Sequence, residues 1–100
     1  MWETEIQSFG DYLKIERGLS KHSHEAYLRD IQKLATYLSV SPIAIDQVDE
    51  SHILAFLKDL HSLGIEASTQ SRTLSGIRAF FQFLVFDGTL KADPTVHVKN

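Results

Sequence analysis

A chain of 100 residues, 43% apolar and 23% charged, has the length and composition of one soluble globular domain and not of a disordered segment. It has no cysteine, which excludes a disulfide framework, a thiolate metal site and a cysteine nucleophile, and its net charge of −3 gives no overall attraction to nucleic acid. No apolar run approaches the roughly 20 residues of a membrane helix, and Met1-Trp2-Glu3 does not open a signal peptide, so a cytoplasmic location is expected.

Residues 3–17 read as a first helix, with Ile6, Phe9, Tyr12 and Leu13 as its buried stripe and Gly18 as its stop. Gly10 inside it costs up to about 1 kcal/mol relative to alanine, and close packing on a neighbouring helix is the expected reason for it. Ser20 is a good N-cap for a second helix over 21–38. Its inward stripe is Tyr27, Ile31, Leu34 and Leu38, and Lys21, His22, Arg29 and Lys33 occupy the other side. Ser39-Val40-Ser41-Pro42 ends it, because the residue before proline avoids helical angles.

Residues 43–48 are expected to be extended, their aliphatic side chains pinning the connection to the core. Asp49 or Ser51 caps a third helix over 50–63, with Ile53, Phe56, Leu57 and Leu60 inward and Gly64 after its end. Ser68 is the expected cap of a fourth helix over 69–87, which Gly88 stops. Leu74, Ile77, Phe81, Leu84 and Val85 form its buried side. Its exposed arc carries Ser71, Arg72, Ser75, Gly76, Arg78, Ala79 and Gln82. Phe80, Phe83 and Phe86 fan beyond the arc that one core needs, so at least one is expected at the surface. Ala92-Asp93-Pro94-Thr95 reads as a turn into a connecting segment. The expected division is a domain over 1–90 and the start of a linker over 91–100. Four helices joined by short loops make an all-α bundle.

Little in this chain assembles into catalytic chemistry. The five histidines, His22, His24, His52, His61 and His97, include no pair at i and i+4, so the helical zinc-protease pattern is missing. There is no Gly-x-Ser-x-Gly turn and no glycine-rich phosphate loop. Neither a metal nor an organic cofactor is expected. The two features that point to a ligand are the helix starts Ser20-Lys21-His22-Ser23 and Ser68-Thr69-Gln70-Ser71. Each places hydroxyls and free backbone N–H groups where a helix dipole favours anions.

Charge is also distributed unevenly. Residues 20–40 carry +1 (Lys21, Arg29, Lys33 against Glu25, Asp30) and residues 67–86 carry +2 (Arg72, Arg78). Residues 1–19 carry −2 and residues 41–66 carry −4. A fold that places the second and fourth segments together has a basic face and an acidic back, the arrangement that steers a protein to DNA.

Leu19-Ser20-x-x-Ser23-x-x-Ala26-Tyr27-x-x-Asp30-Ile31 resembles the motif near the start of Xer-type tyrosine recombinases and phage integrases, Leu-Ser-x-x-Thr followed by Ala-Tyr-x-x-Asp-Leu. Arg72-x-Leu74-Ser75-x-Ile77-Arg78-x-Phe80-Phe81-Gln82-Phe83-Leu84 resembles a second block of the same domain, and Asp93-Pro94-Thr95 resembles the segment before its linker. The resemblance covers nearly the whole chain and implies a four-helix, SAM-like core-binding domain of two crossed helix pairs. It implies duplex DNA as partner, with the second and fourth helices approaching the major groove, and contacts to a catalytic domain and neighbouring protomers. The catalytic half of such enzymes has no counterpart here: no His-x-x-Arg occurs and no tyrosine follows Tyr37. The fragment itself is therefore not expected to be an enzyme.

Carried over by position, Ser20, Lys21, His22 and Ser23 would meet phosphates, and Thr69, Arg72, Ser75 and Gly76 would face the groove, Gly76 allowing close approach. Arg29 and Lys33 would reach the backbone or stand solvated. Arg78 would either contact DNA or pair with an acid such as Asp30. Serine at position 23 departs from the family's threonine, and Ala79 stands where many relatives are basic; both predict weak binding. About four to six phosphate contacts predict a log–log salt slope near −4 to −5. The alternative is a helical protein-interaction domain that does not bind DNA.

Overall fold

The computed structural model describes residues 1–16 and 18–99. Four α-helices follow one another: α1 (Glu3–Glu16), α2 (Lys21–Leu38), α3 (Glu50–Ser62) and α4 (Ala67–Phe86), with a short 3-10 turn over Ile45–Gln47. This is the expected all-α, SAM-like four-helix bundle. Arg17, the expected end of the first helix, and Asn100, in the expected linker, lie outside the described residues. α2 and α4 form the spine through the most extensive contact between helices, while α1 and α3 each lean on both.

Local chemistry sets the boundaries. Ser20 caps α2 as expected, its Oγ accepting the Ser23 backbone N–H at 3.2 Å. Asp49, not Ser51, caps α3. Its carboxylate accepts from the Ser51 and His52 backbone N–H groups, while His52 Nδ1 accepts from the Asp49 N–H at 3.0 Å. α3 ends at Gly64 with φ +80°, where Ile65 N–H returns to the Leu60 carbonyl and Gly64 N–H to that of His61. α4 starts two residues before the expected position, and its cap is Glu66 rather than Ser68, with no side-chain capping bond. Gln70 holds this earlier turn, its Nε2 donating to the Ile65 carbonyl at 2.8 Å.

The 43–48 connection is not fully extended. With no neighbouring strand to pair with, it closes local bonds of its own, Gln47 N–H to the Ala44 carbonyl at 2.9 Å.

Phe9, Leu13, Ile31, Leu34, Ile53, Leu74, Ile77, Phe81 and Leu84 are fully buried, which matches the expected stripes. Phe80 and Phe83 join them, leaving Phe86 as the exposed phenylalanine of the fan. Trp2 is also buried. It stacks on Phe80 and donates its indole N–H to the Ile43 carbonyl at 3.1 Å, sewing the N-terminus to the loop before α3.

The segment after α4 does not simply leave the bundle. Leu90, Thr95 and Val98 are buried against it, and Asp93 closes a turn by accepting from the Thr95 N–H and hydroxyl at 2.8 and 2.7 Å. No helix among the described residues is long and apolar enough to cross a membrane.

Candidate nucleic-acid interface

The α2–α4 junction is built around one buried acid. Asp30 has no exposed surface, and its Oδ2 accepts from Arg72 Nη1 at 2.7 Å. Its Oδ1 is buried and receives no hydrogen bond from the described residues. Burial raises the Asp30 pKa above its ordinary value, opposed first by the Arg72 charge and its hydrogen bond, then by Lys33 and Arg29. Three cations, Arg72 from α4 and Arg29 and Lys33 from α2, thus gather around one carboxylate. The Arg72 side chain remains 43% exposed, so the guanidinium stands at the boundary between the core and solvent.

Gly76 is one turn after Arg72 on α4, and it is buried rather than presented to a groove. A Cβ placed there would stand 2.8 Å from Asp30 Oδ2, so the missing side chain lets α4 close on α2. The expected role of Gly76 is corrected accordingly: the close approach is that of the helices to each other. Arg78 is also not the partner of Asp30. It donates to the Val98 carbonyl and ties α4 to the C-terminal segment.

The remaining candidates divide by helical register. His22, Glu25, Arg29 and Lys33 fall on one exposed line of α2, at i, i+3, i+7 and i+11, so one acid interrupts its basic residues. That line flanks Asp30. Ser23 lies two turns before Asp30 on the same side and is half-buried, and Thr69, seven residues before Gly76, is half-buried too. Ser75, three residues after Arg72, is exposed, its hydroxyl donating to the Ser71 carbonyl at 3.2 Å. Lys21 differs from the others. It is exposed, but nine residues before Asp30 amount to about two and a half turns, so it leaves α2 on the side opposite the Arg72 contact. The hydroxyls of Ser20 and Ser23 bond to each other at 3.2 Å at this end of the helix.

Apart from Glu25, which shares the exposed line of α2, a cluster of acids is placed elsewhere. Asp46, Asp49, Glu50, Asp59 and Glu66 are all exposed, on α3 and the loops that flank it. The cations Arg29, Lys33 and Arg72 thus belong to the α2–α4 junction, and most of the exposed acids of residues 41–66 belong to α3 and its flanking loops.

This chain belongs to the family described as phage integrase, N-terminal SAM-like domain, whose model matches residues 6–88. Among its relatives, it is 34% identical to the tyrosine recombinase XerD of Oceanobacillus iheyensis over 101 residues, covering 99% of this chain and 34% of that protein. It is 35% identical to the tyrosine recombinase XerD of Staphylococcus saprophyticus over 98 residues, or 97% of this chain and 33% of that protein. The XerD of Chlorobaculum tepidum matches at 28% over 97 residues, or 97% of this chain and 32% of that protein. The chain thus spans about a third of the length of the curated relatives it matches.

Proposed function

We propose that this chain is the DNA-binding module of a site-specific tyrosine recombinase and grips duplex DNA along the α2–α4 junction. The observation that carries this reading is the cationic cluster at the α2–α4 junction, where Arg72 pairs with the buried Asp30 and Arg29 and Lys33 stand exposed near the same carboxylate. Arg29, Lys33 and His22 lie along the phosphate backbone, Ser20, Ser23 and Thr69 add hydroxyls near two helix starts, and Ser75 borders Arg72. Strand cleavage belongs to the parts of the parent protein beyond this third, and this fragment serves as one jaw of the clamp.

The test is a fluorescence-anisotropy titration of the chain on a short duplex at several salt concentrations. About four phosphate contacts give a log–log slope near −4. Replacing Arg29 and Lys33 together with glutamate abolishes measurable binding while the helical content stays unchanged. Salt-independent binding, or a double variant that binds as the parent does, overturns the reading. Arg72→Glu is a poorer probe, because a second carboxylate would face Asp30 inside the fold.

A second reading, contact with another protein surface, is favoured by a different patch. Ile15 and Phe86 are 77% and 78% exposed, and the Phe86 ring lies 6.2 Å from that of Tyr12. Sedimentation in the absence of DNA tests it. A concentration-dependent rise in mass that Phe86→Ser removes supports it, and a monomer at all concentrations excludes self-association.

A further inference from the structure

We propose that Asp30 is a positioning residue that converts Arg72 from a phosphate clamp into an oriented reader of a guanine edge. The inference rests on the DNA-binding reading above and goes beyond it by dividing the cations of the junction into two kinds.

Asp30 is held firmly. It has no exposed surface, and a Cβ at position 76 would lie within 3.4 Å of its Oδ2, Cβ and Cγ, so the backbone of α4 rests against the Oδ2 edge of the side chain. An anchor packed against both helices has little freedom to turn. Arg72 Nη1 bonds to that anchor at 2.7 Å while 43% of the side chain is exposed. A guanidinium is planar with five N–H donors, so anchoring Nη1 restricts where the rest of the fork can stand and leaves its other N–H groups for a ligand.

Charge points the same way. A guanidinium already paired with a carboxylate has much of its charge offset, so it gains less from a phosphate than an unpaired cation does. Its N–H groups nevertheless keep their direction, which is what a bidentate contact to guanine O6 and N7 requires. Arg29 and Lys33 stand exposed beside it and carry the salt-dependent, sequence-independent attraction. The junction thus holds a carboxylate-anchored fork beside two solvated cations.

The experiment uses this chain and a pool of short duplexes randomised at their centres. Recovered sequences from the parent chain show guanine enriched at one position by about fivefold or more, as one bidentate contact gives. Asp30→Asn keeps the shape and removes the charge. It loses that enrichment while binding an unselected duplex at least as tightly, with a log–log salt slope steeper by about 0.9 as Arg72 becomes a full phosphate contact. Asp30→Ser also removes the charge and is smaller, so it takes the place of Asp30→Asn if that variant does not fold, with the same two changes expected. A folded Asp30 variant that keeps both the enrichment and the slope overturns the proposal. A parent chain that binds duplexes without guanine preference overturns this inference alone. One that binds no duplex overturns the DNA-binding reading with it.

Discussion

Gly76 of α4 faces Asp30 of α2 so closely that a Cβ on it would stand 2.8 Å from the carboxylate oxygen and 3.2 Å from the Asp30 Cβ. Helix propensity alone favours alanine over glycine at an interior position by up to about 1 kcal/mol. Here packing opposes propensity and wins. Gly76→Ala should lower stability by about 1–3 kcal/mol, the usual cost of overpacking, as read from the urea midpoint. A rise in the midpoint would show that α2 and α4 separate without cost.

Gly10 is the control within the same fold. A Cβ there would meet only the two Leu28 methyl groups, each at 3.6 Å, which is ordinary contact. Gly10→Ala is therefore expected to stabilise the chain by about 0.5–1 kcal/mol through the stiffer unfolded backbone and better propensity. A loss of stability would mean that the α1–α2 contact is tighter than these distances indicate.

The two serines at helix starts should behave differently. Ser20 Oγ accepts the Ser23 N–H, so Ser20→Ala should lower stability by about 0.5–2 kcal/mol. α4 begins ahead of Ser68 with no side-chain cap, so Ser68→Ala should stay within about 0.5 kcal/mol of the parent. Thermal melts of the two variants side by side check the contrast.

Acidity should affect Asp30 in the direction opposite to the usual surface carboxylate. Burial raises its pKa in the folded chain, so the folded state holds this proton more firmly than the unfolded one. Stability contributed by the group then falls as pH rises from its ordinary value through the raised one. The stability of the parent relative to Asp30→Asn should accordingly increase as pH is lowered across that window, as measured by urea melts at a series of pH values. If the difference shrinks on acidification, the Arg72 pair outweighs burial.

The span of α2, its Ser20 cap and the apolar stripes were legible in the sequence because each is a local pattern of period and cap chemistry. The partner of Asp30 was less legible. Arg72 and Arg78 lie six residues apart, so helical spacing shows that both border the polar arc but not which one reaches α2. The choice depends on the C-terminal segment, where Val98 is buried and its carbonyl receives Arg78. Gly76 was misplaced for a related reason: a residue without a side chain leaves no apolar or polar mark, so its inward position follows only from the tightness of the helix pair. The signal that could have shown it was Asp30, an acid within the inward half of α2 that requires a cation opposite and room for its oxygens. For the candidate interface, the division of sign between segments was readable, whereas the outward turn of Lys21 needed the register of α2 relative to the contact with α4.

Trp2, the single tryptophan of the chain, touches Phe80 and Phe81 of α4 and hangs from the Ile43 carbonyl of the interhelical loop. Its fluorescence is therefore a native sensor for the mooring of three distant stretches of chain. Detaching the N-terminus, the loop or α4 would wet the indole and shift its emission to the red.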